Sequence, residues 1–75
     1  MATESKLDKL INQYKEDLKD EMAREYHCEI IVEKDKQSIY IQGYHWGDEL
    51  SYGNKELFDK DVAKVSSLPH VVNKG

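Results

Sequence analysis

The stretch that decides the fold is Tyr26-His27-Cys28-Glu29-Ile30-Ile31-Val32-Glu33, followed after four polar residues by Ser38-Ile39-Tyr40-Ile41-Gln42-Gly43-Tyr44-His45. In the first run Tyr26, Cys28, Ile30 and Val32 alternate with His27, Glu29, Ile31 and Glu33. A period of two, rich in β-branched residues, predicts a strand with one face turned to a core. A four-residue loop over Lys34-Asp35-Lys36-Gln37 pairs Glu33 with Ser38. That register sets Val32 opposite Ile39 and Ile30 opposite Ile41 on one face. On the other face it sets Ile31 opposite Tyr40 and His27 opposite Tyr44. Both faces are self-consistent, so a hairpin of strands over 26–33 and 38–46 is expected.

Toward the C-terminus, Gly47-Asp48 has the form of a two-residue hairpin turn. It pairs Trp46 with Glu49 and His45 with Leu50, predicts a third strand over 49–52, and lays Tyr52 across the bare Gly43. Asn54 is an N-cap for a helix over 55–67, whose buried side is Leu57, Phe58, Val62 and Val65. Pro69 stops that helix. Residues 70–75 form either a docked tail or a short fourth edge strand. Toward the N-terminus, Leu7, Leu10, Ile11, Tyr14, Leu18 and Met22 recur at helical spacing and predict one long helix over 5–25. Ser5 is its expected N-cap, with Asp8 in a capping-box-like pair. The expectation is one small α+β domain of order α-β-β-β-α, spanning 1–75. Its core face is Tyr26, Cys28, Ile30, Val32, Ile39, Ile41, Leu50 and Tyr52.

Seventy-five residues leave no room for a second core or a large cofactor fold. A hydrophobic share of 39% with clear periodicity argues against disorder. Residues 1–54 hold seven basic and twelve acidic side chains, and residues 55–75 hold four and three. The acidity therefore sits in the first helix and the sheet, the wrong sign for nonspecific nucleic-acid or anionic-membrane binding. The longest aliphatic run, Ile30-Ile31-Val32, is far short of the roughly 20 residues that span a bilayer. With no signal-like apolar segment at the start, the cytoplasm is the expected location.

The lone Cys28 excludes an internal disulfide, and His27, Cys28, His45 and His70 lack the spacing of a zinc site. Cys28 points into the expected core, where a thiol is packing rather than a nucleophile. Gly43, Gly47 and Gly53 are dispersed and form no phosphate loop. No enzyme activity, metal or cofactor is expected.

Two features are left over once the core is assigned. Ile31, Tyr40, Tyr44 and Trp46 occupy the opposite sheet face, rimmed by Glu29, Glu33, Gln42, Glu49 and Ser51. That face is core under the second helix, a homodimer interface, or a site for a foreign partner. The second feature is the acidic cluster Glu16, Asp17, Asp20 and Glu21, continued by Glu25. Its like-charge pairs at four-residue steps each cost a helix about 0.2–0.5 kcal/mol. Those steps rise about 6 Å, comparable to the phosphate spacing of a DNA strand.

The order α-β-β-β-α is similar to that of the double-stranded-RNA-binding domain. That family opens its last helix with a lysine-rich cluster, whereas Lys55, Lys60 and Lys64 here are interrupted by Glu56, Asp59 and Asp61. Size and acidity are similar instead to small phage-encoded inhibitors of host proteins. The leading expectation is a non-enzymatic protein-binding module, an acidic inhibitor or DNA mimic occupying a partner's basic surface. An accessory homodimeric subunit with a merely solvated acidic face is the first alternative. A nucleic-acid-binding domain is the second.

Overall fold

The computed structural model describes residues 6–74, so the expected cap at Ser5 lies outside the described residues. The elements in chain order are α1 (Lys6–Asp17), α2 (Glu21–Tyr26), β1 (Glu29–Glu33), β2 (Ser38–Gly43), β3 (Trp46–Ser51), α3 (Lys55–Val65) and β4 (Val71–Lys74). The four strands form one mixed sheet in the order β3-β2-β1-β4, and the chain is an α+β protein.

The β1–β2 hairpin has the register its alternation dictates, with Val32 opposite Ile39, Ile31 opposite Tyr40 and Ile30 opposite Ile41. β1 starts later than expected, because Tyr26 closes α2 and is exposed instead of entering the core. The fourth strand forms, parallel to β1, with Ile30 opposite Val71 and Ile31 opposite Val72.

The second hairpin departs from expectation. Its turn is Tyr44-His45, so β3 spans Trp46–Ser51 instead of 49–52, and Gly43 pairs with Trp46 while Gln42 pairs with Gly47. His45 takes the left-handed conformation at φ 67, a role usually given to glycine or asparagine. Both glycines are spent within the sheet. A Cβ at Gly43 would meet the Trp46 indole, and one at Gly47 would meet the Tyr40 ring. Each lies beneath an aromatic from the neighbouring strand, so Tyr52 does not cover Gly43.

The expected long helix is two helices. Lys19 N–H and Asp20 N–H reach only three residues back, to the carbonyls of Glu16 and Asp17, which tightens and ends α1. Asp20 then adopts extended backbone, and its carboxylate accepts from Met22 N–H at 2.9 Å and Ala23 N–H at 3.3 Å. A side chain that caps a new helix competes with continuing the old one. Continuation would also have stacked Glu16 on Asp20 and Asp17 on Glu21.

Leu7, Ile11 and Tyr14 of α1, Ala23 of α2, and Phe58 and Val65 of α3 all join Ile30, Val32, Ile39 and Ile41 in one core. The helices therefore cover a single face of the sheet. Tyr14 donates its hydroxyl to the Pro69 carbonyl at 2.8 Å, fastening α1 to the link between α3 and β4. Tyr52 packs edge-on against Phe58 and donates to Asp61 at 2.5 Å, fastening β3 to α3. Asn54 caps α3 by accepting from Glu56 and Leu57 N–H, as its sequence position predicts.

In the loop over 34–37, Gln37 sits at φ 48 and its buried Oε1 lacks a hydrogen-bond partner among the described residues. Glycine there relieves the left-handed backbone and removes the unpaired oxygen. Gln37→Gly is expected to raise stability by about 1 kcal/mol after the glycine's own entropy cost. A denaturation midpoint below that of the parent chain would refute this reading of the turn.

Candidate functional site

The carboxylates expected to form one row divide into two groups once α1 ends at Asp17. Asp17 turns inward. Its Oδ2 accepts from the Tyr44 backbone N–H at 2.9 Å and the Trp46 indole Nε1 at 2.5 Å, while Oδ1 accepts from the Gln13 amide at 3.1 Å. Burial pushes this carboxyl up, but the bonds from Tyr44, Trp46 and Gln13 outweigh it and hold it below the ordinary value of 3.8. Asp17 is an internal tie between α1 and the β2–β3 turn. Its oxygens are directed at this chain's own donors.

Asp20 is engaged as the cap of α2, and Glu16 pairs with Lys19 at 2.8 Å. Glu16, Asp20, Glu21 and Glu25 remain exposed around α2. The regular row at phosphate-like spacing is absent because its members stand on two helices and a link.

The aromatic set also divides. Pairing with Gly43 turns Trp46 toward the helices, and both Trp46 and Tyr44 pack partly buried against the core. The Tyr44 ring also lies tilted against His45, with centroids 3.9 Å apart, and meets His27 edge-on at 4.9 Å. Ile31 and Tyr40 stay on the helix-free face, joined by Val72 of β4. Of the expected face Ile31 and Tyr40 remain, while Tyr44 and Trp46 pack against the core.

Cys28 is buried. Burial first, then the charges of Asp17 and Asp20, push its thiol up from the ordinary value. A thiol so placed stays protonated, the reverse of an activated nucleophile. Among the described residues no group of three or more His, Cys, Asp or Glu side chains could hold a metal ion. No described helix is long and apolar enough to cross a membrane.

The surface that sequence reasoning missed is α2 itself. This helix buries only Ala23, while Met22 is 59% and Tyr26 73% exposed. Four residues apart, these two side chains share one side of the helix. Glu21 and Glu25 repeat the same spacing about a quarter-turn round the helix, on the side of Met22 and Tyr26 away from the buried Ala23, where Arg24 also stands. The signal was present in Asp20-Glu21, a cap followed by an acid in the first turn. It was masked because Leu18 and Met22 extend the apolar period of α1.

The fold and this surface define a two-layer α+β domain with a short charged helix that exposes Met22 and Tyr26. Comparison with protein-family models, with curated proteins and with solved structures finds no match to this chain.

Proposed function

We propose that this protein is a non-enzymatic protein-binding module, a small acidic modulator that occupies a partner's surface through α2. The observation that carries the reading is the exposure of Met22 and Tyr26 side by side on a helix that buries only Ala23. Large apolar groups turned to water on a short helix add little to folding, and two such groups side by side with a polar rim have the form of a contact patch. Methionine adapts to irregular pockets, and tyrosine combines a flat apolar body with a polar tip. These two are the anchors of the proposed contact. Glu16, Asp20, Glu21 and Glu25 lie exposed on and just before the same helix, outnumber Arg24, and favour a partner whose apolar pocket is rimmed by lysine or arginine, as in a nucleic-acid-binding surface. Their charges speed and orient the encounter more than they hold it.

The test begins with co-purification from the native cell and identification of the captured protein. Met22→Ser with Tyr26→Ser is expected to weaken binding to it at least tenfold, the loss of one good anchor. Glu21→Lys with Glu25→Lys is expected to slow association, with the effect fading as salt rises. A folded Met22/Tyr26 double variant that binds as tightly as the parent chain would remove α2 from the contact. Salt-insensitive binding would remove the basic rim.

A further inference from the structure

β4 lies at an edge of the sheet and is bonded to β1 on one side only. Ile30 N–H donates to the His70 carbonyl and Lys34 N–H to the Lys74 carbonyl. In a parallel ladder this phase turns the backbone groups of residues 70, 72 and 74 toward β1. The N–H and C=O of Val71 and Asn73 therefore point outward along the open edge. The opposite edge is different. β3 carries Asp48 and Glu49, charges of the kind that discourage an added strand, whereas β4 carries no acid.

We propose that a second copy of this chain adds its own β4 antiparallel to this edge, forming a twofold-symmetric dimer with one continuous eight-stranded sheet. The self-register is fixed by the outward groups. Val71 faces Asn73 of the second copy and Asn73 faces its Val71, which closes four backbone hydrogen bonds. Val72 then falls on the twofold axis, opposite Val72 of the second copy, at the closer-spaced, non-hydrogen-bonded kind of position. Val72 is 37% exposed and ends the row Tyr40, Ile31, Val72 on the helix-free face. The dimer doubles that row into a single apolar strip that crosses both sheets.

Charge does not oppose the register: β4 carries no acid, and Lys74 already stands beside Glu33 of its own copy. A foreign extended strand could use the backbone groups equally well. This chain's own β4 also sets valine on valine at the axis and joins two apolar rows into one. The contact is isologous, so one patch serves both copies.

Sedimentation equilibrium of the intact chain from about 10 μM to about 1 mM, with amide exchange at each concentration, tests the proposal; a four-residue strand pairing is a small, low-affinity interface. The mass is expected to rise from 8.8 kDa toward twice that value. In step with it, exchange at Val71 and Asn73 should slow at least about tenfold. Asn73→Pro removes an outward N–H while leaving the β1 ladder whole, and it is expected to return the monomer with an unchanged circular dichroism spectrum. Val72→Lys puts two ammonium groups on the axis and should do the same. A monomer throughout that range would overturn the proposal, as would a dimer that persists in both folded variants. So would a dimer whose Val71 and Asn73 amides exchange at the monomer rate, which would point to another surface. If one variant fails to fold, the other variant and the exchange profile decide.

Discussion

Tyr14→Ala is expected to cost about 3–5 kcal/mol, the usual loss for truncating a buried aromatic, and to leave a chain of this size largely unfolded at room temperature. Tyr14 heads the fully buried side chains by volume. Removing the ring opens a cavity among Leu7, Ile11 and the sheet residues, and it also strips the Pro69 carbonyl of its donor. Tyr14→Phe separates the two effects. The ring stays and only the hydrogen bond goes, for about 1 kcal/mol or a melting temperature lower by about 4–8 °C. If the alanine variant melted no lower than the phenylalanine variant, the packing argument would fail.

Alkaline pH offers a further check on the same residue. Burial, then the charges of Cys28 and Glu29, push the Tyr14 hydroxyl up to about 12. The folded state therefore keeps its proton in a range where the unfolded chain releases it near 10. That contribution is fully present below pH 10 and is lost as pH rises through 10 toward 12. Tyr14→Phe should flatten the decline without abolishing it. Tyr52, pushed up by burial and by its bond to Asp61, adds a decline of the same sign.

Asp17→Ala is expected to cost about 2–3 kcal/mol, because three donors lose their acceptor at once and two of those bonds are partly buried. Its melting temperature should fall by about 10–20 °C. Asp17→Asn retains one acceptor oxygen but turns an amide donor toward Gln13 or the turn, and should lose part of the same amount. The acid limb of the stability profile tests the charge itself. A carboxyl held below 3.8 contributes stability above that value and loses it as pH falls through its folded value. Between pH 5 and 2 the parent chain should therefore lose more stability than Asp17→Asn. Parallel acid limbs would mean that the charged form carries none of the tie.

The β1–β2 register was legible because two faces had to agree at once. A one-residue slip would have put Ile39 and Ile41 in water and the opposing set in the core. Asn54 and Pro69 bracket α3 by local chemistry that tertiary contacts did not override. The β2–β3 turn was misread for a specific reason. Gly47-Asp48 has turn composition, but Gly47 is needed under the Tyr40 ring, while His45 bends the chain at an unfavourable φ. The break in the first helix was hidden by Asp20, a residue equally at home on a solvated helix face and at a cap. Of the functional surface, the acidity of Glu16, Glu21 and Glu25 could be read directly. The exposure of Met22 and Tyr26 could not, since it depends on which way α2 leaves the end of α1.

The parallel pairing of β4 with β1 also sets an order of assembly. The meander from Glu29 to Ser51 closes through neighbours along the chain, but Ile30 meets Val71 across forty-one positions. Long loops close late, after local contacts have restricted the chain. Until residues 71–74 dock, the flank of β1 away from β2 is itself an open edge. β4 thus does for the sheet what a cap does for a helix, and the Tyr14–Pro69 bond fastens the segment that delivers it.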